Sequence, residues 1–204
     1  KENNMKINVT PRGSLVYPHL NSPDTKFDRD GVYKTQLRVI DADAANELVD
    51  IIQESLDQYA TQHPTVKKRA KMPFEKSDDG SYTFTFKCKA RGIRADGTTW
   101  EQKPKIFDAK GNPFLVAKAI WGGTTAKVSF AIAPYNVAAT GLGITLRLKG
   151  VQILELVEGG GSAETYGFSE EEGFDGSSSP STQAEEVSTP AEEKPQEENA
   201  AANY

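Results

Sequence analysis

Hydrophobic and polar positions alternate most regularly in two stretches of the chain. From Ser81 to Arg91, Tyr82, Phe84, Phe86, Cys88 and Ala90 share one face, and Thr83, Thr85, Lys87, Lys89 and Arg91 share the other. From Gly31 to Ile40, Tyr33, Leu37 and Val39 fall together with polar Thr35 among them, opposite Lys34, Gln36 and Arg38. Side chains along a strand alternate with period two, so each stretch predicts a β-strand with one apolar and one basic face. Paired, the two strands put Lys34, Arg38, Lys87, Lys89 and Arg91 on one surface, with no acid on either outward face. Such a surface predicts anion binding.

Other elements follow from the same pattern. Arg12 to Tyr17 predicts a short first strand closed by Pro18, and residues 21–30 read as turn chemistry. Ala45, Leu48, Val49, Ile52, Leu56 and Tyr59 recur at helical spacing, with Asp41 or Asp43 as the N-cap and Pro64 as the stop. Thr65 to Asp79 predicts a loop carrying Lys67, Lys68, Arg69, Lys71 and Lys76. Asp96-Gly97 predicts a type I′ hairpin turn. Strands are expected at Lys103–Asp108 and at Lys127–Tyr135, the latter with Val128, Phe130 and Ile132 alternating against Lys127, Ser129 and Ala131. Phe114 to Trp121 fits strand or short helix equally. In the last strand Ile144, Leu146 and Leu148 share a face, Gly150 breaks the phase, and Val151 and Ile153 resume it, which predicts a bulge or a barrel bend.

Five or six strands and a helix in about 150 residues predict a mainly β, OB-fold antiparallel barrel over 1–158. The helix is inserted between the second and third strands. Residues 159–204 are dominated by Gly, Ser, Pro, Ala and Glu and predict a disordered tail.

Charge sharpens this division. The chain has 204 residues and a net charge of −5. Up to Val157 there are 23 Lys and Arg against 17 Asp and Glu, whereas the remainder holds one Lys and 12 acids. A basic body with an acidic tail points to a nucleic-acid partner and a separate task for the tail. The only cysteine, Cys88, falls on an apolar strand face and reads as a core residue. No apolar run approaches membrane-spanning length and no leader opens the chain, so a cytosolic protein that meets no membrane is expected.

Catalytic chemistry finds no support. His19 and His63 sit beside no cysteine cluster, and no Gly-rich loop ends in Lys-Ser/Thr. Asp96 with Glu101 and Lys103 superficially matches a metal nuclease, but the turn accounts for Asp96. No enzyme, cofactor or metal is expected. Single-strand binding instead needs cations for phosphates and exposed aromatics for bases. The cations are those of the two strands and of the 67–71 loop. Trp100, Phe107, Trp121 and Tyr135 are the aromatic candidates; Trp100, Phe107 and Tyr135 are taken as the stackers.

Several landmarks resemble a known family. These are Gly31-Val32-Tyr33-Lys34, the run Thr83 to Cys88, Asp108-Ala109-Lys110-Gly111, Gly122-Gly123, Pro134-Tyr135, the strand Val151 to Val157 and the glycines 159–161. In this order they are similar to the single-stranded DNA-binding proteins of short-tailed, T-odd-type bacteriophages. The resemblance implies an OB fold, sequence-tolerant single-stranded DNA binding, and a role in phage replication and recombination in the host cytoplasm. It also implies a homodimer and an acidic tail that touches the phage DNA polymerase and helicase/primase. In the family the tyrosine matching Tyr135 contributes to the DNA site. Trp121 stands where the family can carry an aliphatic residue. The tail departs from the pattern: it ends in Tyr204 rather than phenylalanine, with no acid in its last six residues. The rival expectation is an OB-like adaptor for protein partners, with incidental nucleic-acid binding.

Overall fold

The structure, a computed structural model, describes residues 6–114, 119–157 and 169. The chain divides into Lys1–Ser162 and Ala163–Tyr204, and every described element belongs to the first unit. Apart from residue 169, the expected disordered tail over 159–204 falls outside the described residues.

Among the described residues, ten strands and one helix follow one another as Ile7–Val9 (β1), Gly13–Asp24 (β2), Val32–Val39 (β3), Ala42–Thr61 (α1), Phe74–Lys76 (β4), Tyr82–Lys89 (β5), Arg91–Ile93 (β6), Thr99–Glu101 (β7), Lys105–Phe107 (β8), Thr125–Val137 (β9) and Gly141–Glu155 (β10). The main sheet runs β1-β9-β2-β3-β5-β10-β8, and β10 also pairs with β9. The second pairing closes a ring of β9, β2, β3, β5 and β10. All its contacts are antiparallel except β5 with β10, which run parallel. This is a sheet-rich, OB-like arrangement with the helix inserted between β3 and β5.

The alternation read from the sequence sets what lies inside. Tyr33, Leu37 and Val39 on β3 and Tyr82, Phe84, Phe86 and Cys88 on β5 are buried. Phe86 meets Phe130 of β9 with ring centroids 5.2 Å apart. Helix α1 contributes Ala45, Leu48, Ile52 and Leu56 and packs against β9 and β10. Asp41 is its N-cap, with the carboxylate accepting from the Asp43 and Ala44 amides at 3.1 Å. Between Leu148 and Gly150 the β9–β10 register shifts, the irregularity that the glycine signalled.

Four expectations are corrected. First, Pro18 does not close the first strand. Between the pairs Val16 with Gln36 and His19 with Lys34, β2 holds one residue more than β3, so Tyr17-Pro18 forms a bulge and β2 continues to Asp24. Proline tolerates a bulge because no ladder amide is needed there. Second, the 65–79 segment is not all loop: β4 pairs with β5, and Arg69 bridges Leu142. Third, the Asp96-Gly97 turn is not type I′. That turn needs a positive φ at Asp96, yet only Gly97 has one, at 83°. The Gly97 amide donates to Arg94 O at 2.9 Å, and Asp96 instead accepts from the Thr98 hydroxyl at 2.6 Å, giving a three-residue loop with glycine at its left-handed position. Fourth, β9 changes phase after Phe130: Ala131 and Ala133 are buried while Ile132 is only half-buried. Of the ambiguous Phe114 to Trp121 stretch, residues 115–118 lie outside those described.

Candidate nucleic-acid interface

The basic faces of β3 and β5 do adjoin. Lys34 stands opposite Lys87, and Val32 opposite Lys89. The row extends further in both directions, because His19 of β2 pairs with Lys34, and Arg147 of β10 pairs with Lys87. His19, Lys34, Lys87 and Arg147 therefore cross four neighbouring strands on the outward face.

Four of the five strand cations meet carboxylates, where the face count had suggested none would. Lys34 Nζ lies 2.5 Å from Asp24, Arg38 pairs with Asp79, Lys89 lies 3.7 Å from Asp28 and Arg91 3.4 Å from Asp30. The acids come from the end of β2, the β2–β3 connection and the β4–β5 turn, which a reading of two isolated strands does not contain. A hydrogen bond from Lys34 holds the Asp24 carboxyl below its usual value, and one from Ser81 does the same for Asp79. Arg91 lies beyond β5, in β6, where it also donates to Arg29 O at 2.8 Å. Of the five, Lys87 alone has no carboxylate within salt-bridge reach among the described residues.

Two cations of β10 that the expected set left out share that freedom. Arg147 and Lys149 of β10 are exposed and have no ion pair among the described residues. The signal for them was present, since they alternate with buried Leu146 and Leu148 as Lys87 and Lys89 alternate with Phe86 and Cys88.

Two clefts flank Lys87. One, of about 430 Å³, is lined by Lys87, Lys89, Trp100, Arg147 and Lys149. The other, of about 260 Å³, is lined by Lys71, Phe74, Lys87, Tyr135 and Thr145. Lys87 and Thr145 line both, so the clefts adjoin as one groove with Trp100 toward one end and Tyr135 toward the other.

Local structure delivers the two aromatics. The β6–β7 hairpin springs from the end of β5 and is tied back by Gln102, whose side chain donates to Lys89 O at 2.8 Å. Trp100 stands opposite Gly92, and a Cβ there would lie 2.8 Å from the indole Cζ2. Tyr135 stands opposite Gly143, and a Cβ there would lie 2.5 Å from the phenol oxygen. Neither glycine has a positive φ, so the rings, not the backbone, account for the missing side chains.

The basic 67–71 segment is fixed beside Tyr135. Ala70 N donates to Leu142 O at 2.8 Å, and Leu142 N donates to Lys68 O at 3.0 Å. Only Lys71 of this segment lines the groove, and it pairs with Glu75. The Lys68 ammonium is bound by Ala139 O, Arg69 donates to Val66 O at 2.8 Å, and Lys67 is exposed. Phe107 does not join the groove. It is half-buried on β8, opposite Gln152.

Comparison with known proteins identifies the family. Residues 8–156 match the family model described as single-stranded DNA-binding protein, bacteriophage T7. The chain is 30% identical over 184 residues to the single-stranded DNA-binding protein of Escherichia phage T7, covering 79% of this chain and 78% of that protein. It is 29% identical over 175 residues to its counterpart in Enterobacteria phage T3, covering 72% of this chain and 75% of that protein. The crystal structure of the bacteriophage T7 protein superposes with a TM-score of 0.66 at 27% identity, covering 84% of this chain and 98% of that one. The single-stranded DNA-binding protein of bacteriophage Enc34, solved in complex with single-stranded DNA, shares the fold at 15% identity with a TM-score of 0.55, over 74% of this chain and 88% of that one. The chain belongs to the family of the bacteriophage T7 single-stranded DNA-binding protein.

Proposed function

We propose that this chain binds single-stranded DNA without sequence preference, in the groove between Tyr135 and Trp100. The observation that carries the reading is that the groove combines an aromatic near each end with Lys87, Arg147 and Lys149, cations that no carboxylate neutralises among the described residues. Phosphates replace counterions at such cations, and bases stack on aromatic rings irrespective of sequence. The paired cations Lys34, Arg38, Lys89 and Arg91 act as a second rank that phosphates reach only by displacing aspartates.

The ring of β9, β2, β3, β5 and β10 acts as a five-stranded OB barrel whose outward face on β3, β5 and β10 carries DNA. Family membership supports a non-enzymatic role in phage DNA replication and recombination inside the infected host. A homodimer, and an acidic tail that contacts the polymerase and helicase/primase, complete the reading. Tryptophan fluorescence titrated with oligo-dT and with duplex of equal length, at several salt concentrations, tests it. Quenching by the single strand, with a linear log–log fall of affinity with salt, is expected. Equal and weak binding of both forms would assign the groove to ordinary surface and favour the adaptor.

A further inference from the structure

A second aromatic pair lies away from the groove. Tyr17 occupies the β2 bulge with φ of 47°, the one described non-glycine residue at positive φ, and is 78% exposed. A bulky side chain is rare in this region, and strain of this kind persists where the surrounding structure imposes it. Here the cause is visible: the extra residue of a bulge re-aims a side chain that regular alternation would place elsewhere. Trp121 is 51% exposed. The turn after it is pinned to β2, since Gly123 N donates to Leu15 O at 2.8 Å and Leu15 N donates to Thr124 O at 2.9 Å. Tyr17, Pro18, His19, Leu20, Ile120 and Trp121 thus line one cleft of about 570 Å³.

The same His19 begins the row His19, Lys34, Lys87, Arg147. Adjacent strands lie about 4.8 Å apart, so the row spans about 14 Å from the β2 cleft to the groove floor. A phosphate backbone leaving the groove at Lys87 finds next in line Lys34, where it displaces the Asp24 carboxylate, and His19, then two exposed rings.

We infer that the cleft between Tyr17 and Trp121 is a second base-stacking subsite, occupied by nucleotides of single-stranded DNA that extend past the groove across Lys34 and His19. The inference rests on the reading of the groove, and the chain's two tryptophans separate the two. The Trp121→Phe variant leaves Trp100 to report the groove. The Trp100→Phe variant leaves Trp121 to report the cleft. Each is titrated with oligo-dT of increasing length.

Short oligonucleotides are expected to quench Trp100 alone, and longer ones to quench Trp121 as well. The Tyr17→Gly variant, whose glycine accepts the positive φ, should keep its thermal midpoint. It should bind short oligonucleotides as the parent does and lose severalfold affinity only for the long ones. Quenching of Trp100 with no response of Trp121 at any length would overturn the subsite and leave the groove standing. A response of neither tryptophan would overturn both. A shift of Trp121 emission with protein concentration in the absence of DNA would give the cleft to a second copy of the chain and also overturn the subsite.

Discussion

Gly143 of β10 stands directly across from Tyr135 of β9, and the tyrosine ring fills the space its side chain would take. Ala70 closes the other side, 2.9 Å from where a Cβ would sit. An alanine at 143 must therefore displace either the ring or the basic segment. In the proposed site, Tyr135→Ala should cost about 1–3 kcal/mol of single-strand affinity, the range for one stacked base. Gly143→Ala should cost a comparable amount. The Tyr135→Ala/Gly143→Ala double variant should bind no worse than Tyr135→Ala, because the glycine acts through the ring. Additive losses in fluorescence titrations would show that Gly143 serves the fold instead. The Gly92 and Trp100 pair repeats this arrangement at the other end of the groove.

Charge pairing ranks the cations. Lys87 has no carboxylate in reach among the described residues, whereas Lys89 faces Asp28 at 3.7 Å and Lys34 faces Asp24 at 2.5 Å. Each phosphate neutralised on a single strand adds about 0.7 to the slope of log affinity against log salt. Lys87→Ala and Arg147→Ala should each flatten the slope by about that amount. Lys89→Ala should flatten it less. Asp24→Asn should steepen it, since it releases Lys34 to phosphate. Equal slopes for Lys87→Ala and Lys89→Ala would mean that the aspartates do not compete.

The elements in which alternation or helical spacing runs unbroken were legible in the sequence: β3, β5 and α1, whose cap the sequence left between Asp41 and Asp43. There the sequence states which face is buried, and the face decides the element. What it could not state was where loops deliver their charges. Asp24, Asp28 and Asp30 read as turn chemistry and Asp79 as the end of a loop, and neither reading carries information about which strand cation a carboxylate will reach. Phe107 looked like Trp100 on paper, an aromatic in a short strand. Only the pairing of β8 against the far part of β10 takes it out of the groove. Tyr17 was hidden by Pro18, which reads as a strand end unless the partner strand is known.

Acid should weaken the fold in a defined window. Asp79 accepts from Ser81 Oγ at 2.6 Å and from Ser81 N at 3.0 Å, and it pairs with Arg38. The Ser81 hydroxyl first, then its amide and Arg38, hold the carboxyl below its ordinary 3.8. A folded pKa below the unfolded one contributes stability that is complete above the unfolded value and is lost as pH falls through the folded value. Asp24 behaves in the same way through Lys34. The urea midpoint should hold steady from neutral pH to about 5 and decline below about 4, the unfolded aspartate pKa. Asp79→Asn keeps an acceptor for Ser81 but has no proton to gain, so its decline should be shallower. A decline of equal depth in the variant would move the acid sensitivity elsewhere.

Cys88 lines the groove beside Trp100, yet its thiol should be nearly inert. Burial pushes its pKa from 9.0 up to about 11, with Lys149 opposing weakly. Because the thiolate is the reactive form, a rise of this size cuts the reactive fraction at pH 8 about a hundredfold. Iodoacetamide should therefore label the native protein about a hundred times more slowly than the urea-unfolded chain, beyond any shielding by neighbours. If opening of the fold limits labelling, the native rate should also rise with urea below the unfolding transition. A native rate close to that of a free thiol would mean that the β5 face is open to solvent, and that the barrel interior is not sealed where the groove crosses it.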